Sequence, residues 1–178
     1  MTSDEPELTG ARGRADREAR GRVERATWPR AWGWLFPATY AIHIWEEWLG
    51  GEGFPAWMAR IAGVELAMGE FLLWNAVALL LMSVSIFLTL RFKSLNWLLL
   101  AYGTSFLLNA LSHLVMSLYT TSYSPGLVSG LLLWLPLGAL ALFRFRKTLS
   151  RRGRRAGLLV GLSIHCVVIV LTLLGGRL

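Results

Sequence analysis

Hydrophobic residues in this chain gather into five long runs, near 31–49, 66–90, 95–119, 125–144 and 156–175. Crossing the hydrocarbon core of a bilayer takes about twenty residues of helix, so each run predicts one transmembrane helix. Between the first two lies "FPAWMARIAGVE", residues 54–65. This segment is amphipathic and too short to span, which predicts a helix lying along the interface with Phe54 and Trp57 as anchors. Residues 1–30 alternate acids with seven arginines and hold few apolar side chains, a pattern that predicts a disordered charged tail. The reading is an all-α, polytopic bundle of five transmembrane helices over 31–178. Pro37 and Pro136 should kink the first and fourth spans. "GLVSG" at 126–130 and "GLLVG" at 157–161 carry the small-xxx-small spacing that would let the fourth and fifth spans approach closely.

Composition agrees with a membrane protein. The 178 residues are 54% hydrophobic and 16% charged, with nine tryptophans and a mean hydropathy of +0.49. The net charge of +7 could indicate nucleic acid. The basic residues fall in short clusters between apolar runs, however, so anionic lipid headgroups are the expected counter-surface and no nucleic-acid partner is expected. With five spans, sixteen of the 18 basic residues fall on one side, leaving only Arg60 and Arg177 on the other. The positive-inside rule then puts the N-terminus in the cytoplasm and the C-terminus outside, the expected location being the bacterial cytoplasmic membrane. No cleavable signal peptide is expected, so the first span would act as its own targeting signal. The single cysteine, Cys166, permits neither an internal disulfide nor a cysteine metal cluster and is expected to be a small buried hydrophobe. Self-association into a homo-oligomer is left open.

The polar residues inside the runs carry the chemistry. Beyond the tail the acids are Glu46, Glu47, Glu52, Glu65 and Glu70, and the remaining 108 residues have none. The three histidines, His43, His113 and His165, all fall inside predicted spans. Burying such groups costs several kcal/mol unless they are paired, protonated or bound to metal. His43, Glu46 and Glu47 stand at i, i+3 and i+4 on one helical face, and Asn109 and His113 stand at i and i+4 on another. The topology puts all of these, with Glu70, in the outer half of the bilayer. Tyr123 and Pro125 would sit over them, and His165 would lie near mid-membrane.

"HIWEE" at 43–47, "NALSH" at 109–113 and "YSPG" at 123–126 match, in order, the HXXEE, NxxxH and YxPG motifs of a family of small integral membrane proteins, which this chain resembles over roughly residues 35 to 145. That family is named for a motif and no biochemical function is established for it. The resemblance implies that His43, Glu46, Glu47, Asn109, His113, Tyr123, Pro125 and Gly126 matter without implying for what. His165 stands outside the motifs.

Three functions fit these residues. The first is a membrane-embedded enzyme acting on a lipid or isoprenoid substrate through metal-dependent hydrolysis. His43, Glu47 and His113, with His165 or Glu70, would bind a divalent zinc or iron ion. Glu46 would be the general base, and Asn109 or Tyr123 would donate to the oxyanion. The second is a cofactor-free acid–base isomerase or cyclase of a sterol or isoprenoid lipid, in which Trp45, Trp48 and Trp74 could stabilise a carbocation. Small five-helix sterol isomerases use a similar residue inventory, an analogy of architecture only. The third is a transport-related or purely structural role for the same side chains. The expected partners are membrane lipids and a hydrophobic small-molecule substrate.

Overall fold

The computed structural model describes residues 30–175, and all regular secondary structure among them is helical. The tail expected over 1–30 lies outside them except for Arg30, as does Arg177. A 3-10 turn, Arg30–Trp34, leads into α1, Leu35–Leu49. There follow α2 (Phe54–Ala62), α3 (Met68–Arg91), α4 (Trp97–Thr120), α5 (Leu127–Thr148) and α6 (Arg151–Leu174).

Among the described residues four helices, α3 to α6, are long and apolar enough to cross a membrane, against the five runs read from the sequence. The first run yields only 15 residues of α-helix, about 22 Å at 1.5 Å per residue and short of a bilayer's hydrocarbon thickness. Its early part is spent on the 3-10 turn, and Pro37 falls in the first turn of α1, where no backbone donor is required. The proline therefore sits at the change of helix type and does not kink a long helix.

Helix α4 is the centre of the bundle. Both small-residue stripes are sites of close approach, and the helix each of them faces is α4. Gly157 and Gly161 of α6 lie against the Trp97 and Ala101 carbonyls, and Gly130 of α5 lies against Ala110. Farther along α5, Gly138 packs on Gly103 and Leu107 of the same central helix. Backbones approach this closely only where no Cβ intervenes. Gly161→Leu should lower the stability of the detergent-purified protein by about 3 kcal/mol or more, read as a drop in thermal midpoint. An unchanged midpoint would mean that the glycine does not set the packing.

Pro136 does shape α5. The turn Gly130–Trp134 just before it is a π-helix, a widening that relieves the clash between a proline ring and the carbonyl four residues earlier. The wide turn carries Trp134 inward, where it is buried.

Two further expectations are corrected. Trp57 is not an interface anchor: it is 2% exposed and packs with Met58 and Val64 on the inner side of α2, which ends at Gly63 in a left-handed conformation. Cys166 is exposed on the outer face of α6, not buried. It sits there among Val167, Val168 and Ile169, themselves exposed, the side-chain inventory of a lipid-facing surface.

Candidate functional site

His43 and Glu47 project from successive turns of α1, and His113 comes from the last third of α4. All three are buried, at 1%, 6% and 6% exposure, among apolar walls where lone polar groups would be costly. Their functional atoms converge on one point. His43 Nε2 lies 3.5 Å and His113 Nε2 3.4 Å from the same carboxylate oxygen, Glu47 Oε1. The other ring nitrogens are held by serines, His43 Nδ1 by Ser129 Oγ at 2.8 Å and His113 Nδ1 by Ser124 Oγ at 2.9 Å. A serine oxygen accepting from Nδ1–H leaves the Nε2 lone pair directed at Glu47, the arrangement by which proteins orient histidine ligands of metals. These are the described residues whose ligand atoms could together hold a metal ion.

Glu46 points elsewhere. Successive helical residues are about 100° apart, so Glu46 and Glu47 cannot share a direction. The two oxygens of Glu46 accept from the backbone N–H of Val128 at 2.8 Å and of Ser129 at 2.6 Å, and from Tyr123 Oη at 2.5 Å. The first turn of α5 has no side-chain cap of its own, and Glu46 satisfies its orphan donors and faces its positive dipole end. Burial and the neighbouring Glu46 carboxylate raise the Tyr123 hydroxyl above its ordinary pKa, which keeps it protonated and donating. Glu46 and Tyr123, read from the sequence as base and oxyanion donor, thus form a clamp beside the site. The clamp holds Ser129, which holds His43.

Gly126 closes the site from above. Its φ is +96°, and a Cβ there would lie 2.7 Å from His43 Cε1 and 2.8 Å from His113 Cε1. The "YSPG" turn therefore supplies Ser124 to one imidazole and bare backbone over both. Trp134, delivered by the π turn, stacks on the His43 ring at 3.7 Å and on Phe106 at 3.9 Å. Tyr40 Oη donates to Asn75 Oδ1 at 2.5 Å, tying α1 to α3 one turn before His43.

The site opens into a cavity of about 790 Å³, a size suited to a small-molecule ligand. Its walls are mainly apolar, with side chains from α1 to α6, among them Phe71 and Trp74 of α3 and Phe54 and Trp57 of α2. Leu81, Val115, Val168 and Ile169 line it while being exposed on the outer faces of α3, α4 and α6, so the cavity reaches the surface between those helices.

The remaining residues read from the sequence are divided by this geometry. Asn109 lines the cavity one turn before His113, and its Oδ1 is buried without a partner. His165 lines it too, but its Nε2 is engaged by Ser112 Oγ at 3.1 Å and it is not among the three converging side chains. Glu70, in the first turn of α3, is neither one of those three nor a cavity wall, and Trp45 and Trp48 point outward. Ser124, Ser129 and Trp134 were missed. The two serines flank the "PGLV" turn, a clue to a helix start but not to a histidine partner.

A family model described as "Protein of unknown function with HXXEE motif" matches residues 34–141. Comparison with the curated proteins and with the solved structures found no match.

Proposed function

The chain belongs to the HXXEE-motif family, and on the geometry of its site we propose that it is a membrane-embedded, metal-dependent enzyme that hydrolyses a lipid or isoprenoid substrate. The observation behind this is a spacing. A direct charge-assisted N–H···O bond would be about 2.7–2.9 Å long, whereas the two Nε2···Oε1 separations are 3.5 and 3.4 Å. A tetrahedral zinc ion with bonds of about 2.0–2.1 Å spaces its ligand atoms about 3.3 Å apart. Two neutral imidazoles and one carboxylate are the set that leaves a fourth position for water, and zinc or iron suits it. The ion would lower the pKa of that water toward about 7 and polarise the bond to be cleaved. Asn109, in the cavity wall beside His113, would orient the water or the substrate. The mouth between α3, α4 and α6 would admit a lipid sideways from the bilayer.

The same proposal takes α1 as a short first span with the N-terminus in the cytoplasm. The basic residues at the α3–α4 and α5–α6 turns then lie at the cytoplasmic end and the site at the outer end of a protein of the bacterial cytoplasmic membrane. A cofactor-free isomerase or cyclase is the second reading, favoured by Trp74 in the cavity wall, whose ring face would stabilise a carbocation.

Elemental analysis separates the two. Protein expressed in zinc- and iron-replete medium should carry about one ion per chain, falling below about a tenth in the His43→Ala, His113→Ala variant. Substoichiometric metal in the unmodified protein would sink the hydrolase and leave the acid–base reading ahead.

A further inference from the structure

Far from the site, at the basic end of the bundle, a second cavity of about 320 Å³ lies between α5 and α6 over α4. Its floor and sides are apolar, made by Leu100, Leu142, Phe143 and Leu158, and its rim carries two guanidinium groups, those of Arg146 and Arg154. Both are held in place. Arg154 Nη1 donates to the Arg146 carbonyl at 2.6 Å, and the Arg146 guanidinium sits 4.7 Å from the centre of the Phe143 ring. Arginine presents planar paired donors that match a phosphate, and its stem covers apolar surface beneath.

The charge here lacks an obvious internal counterpart. Seven basic residues fall between Arg144 and Arg155, and no acid occurs anywhere after Glu70. The arginine ion pair recorded among the described residues, Arg60 with Glu52, belongs to the α2 segment. The six acids of residues 1–30 are accompanied there by seven arginines of their own. A ligand that is anionic at one end and apolar along its length would satisfy this groove at both levels. We propose that the groove between α5 and α6 is a binding site for an anionic phospholipid, its phosphate held by Arg146 and Arg154 and an acyl chain laid over Leu100 and Leu158. Helix ends bearing basic residues at the headgroup level bind acidic lipids in this way. The site is independent of the metal proposal.

Native mass spectrometry of the full-length protein in detergent, titrated with phosphatidylglycerol or with phosphatidylcholine of the same acyl chains, tests it. The expected result is phosphatidylglycerol retained roughly tenfold more strongly, with the preference lost in Arg146→Gln, Arg154→Gln and kept in Arg151→Gln, Arg152→Gln, which removes the same charge beside the groove. Millimolar inorganic phosphate should leave the lipid bound. Displacement by phosphate would reassign the groove to a free anion. Equal retention of the two lipids, or equal losses in the two double variants, would mean diffuse attraction to the basic end and overturn the site. The single variant Arg146→Gln, which keeps the Arg154 bond to the backbone, guards against misfolding and should show an intermediate loss at an unchanged thermal midpoint.

Discussion

Replacing Glu47 with glutamine should abolish binding at the proposed metal site, whereas the same change at its neighbour Glu46 should leave metal binding there largely intact and weaken the fold. Among the described residues Glu47 offers the only carboxylate oxygen that both imidazoles share, and an amide in its place removes the negative charge from the proposed ligand set. Metal affinity should fall by about a hundredfold or more. Glu46 accepts three hydrogen bonds at the start of α5. Glutamine would turn an NH₂ group toward one of those N–H donors, so roughly 1–3 kcal/mol of stability should be lost, with at most about a tenfold weakening of metal binding through Ser129. Elemental content and thermal midpoint, measured on both variants, check this. Equal metal loss in the two would show that the pair acts as one unit and that the division drawn from helix direction is wrong.

Gly126→Ala should have the next largest effect. With φ at +96°, alanine is strained by about 1–2 kcal/mol before any contact is made. Its Cβ would also sit 2.7 and 2.8 Å from two imidazole carbons, well inside van der Waals contact. Neither ring can retreat freely, because each is fixed through Nδ1 to a serine within three residues of Gly126, His43 to Ser129 and His113 to Ser124. The rings must rotate out of register with Glu47, and metal content should fall by about ten- to a hundredfold. Gly63→Ala is the control: φ is +63° there too, but nothing lies within 4 Å of the added carbon. It should show the strain without the metal loss. If both variants lose metal alike, backbone strain and not ring displacement is responsible.

Much of this was legible from spacing. The i, i+4 relation of His43 to Glu47 within an apolar run already required a partner from another helix, and His113 was the expected one. The hidden parts depend on direction and proximity, which linear spacing records poorly. "HIWEE" presents its two carboxylates as a pair, yet a 100° step sends one to the histidines and the other to the start of α5. The glycine stripes announced close packing without saying against which helix. Trp57 and Cys166 were misread because, in a chain whose outer surface is apolar, hydrophobicity does not distinguish an inward side chain from a lipid-facing one.

The sequence by itself determined that this is a helical chain with segments apolar enough for a membrane, and that its scarce histidines and acids had to be compensated, because hydrophobic run length and the cost of buried charge are local properties. Only the tertiary structure decided which of those groups meet, that Glu47 and not Glu46 is shared by two imidazoles, and that serines, a glycine and a π turn complete the site. Those outcomes depend on the azimuth and approach of separate helices, which side-chain packing around α4 sets and no single segment encodes.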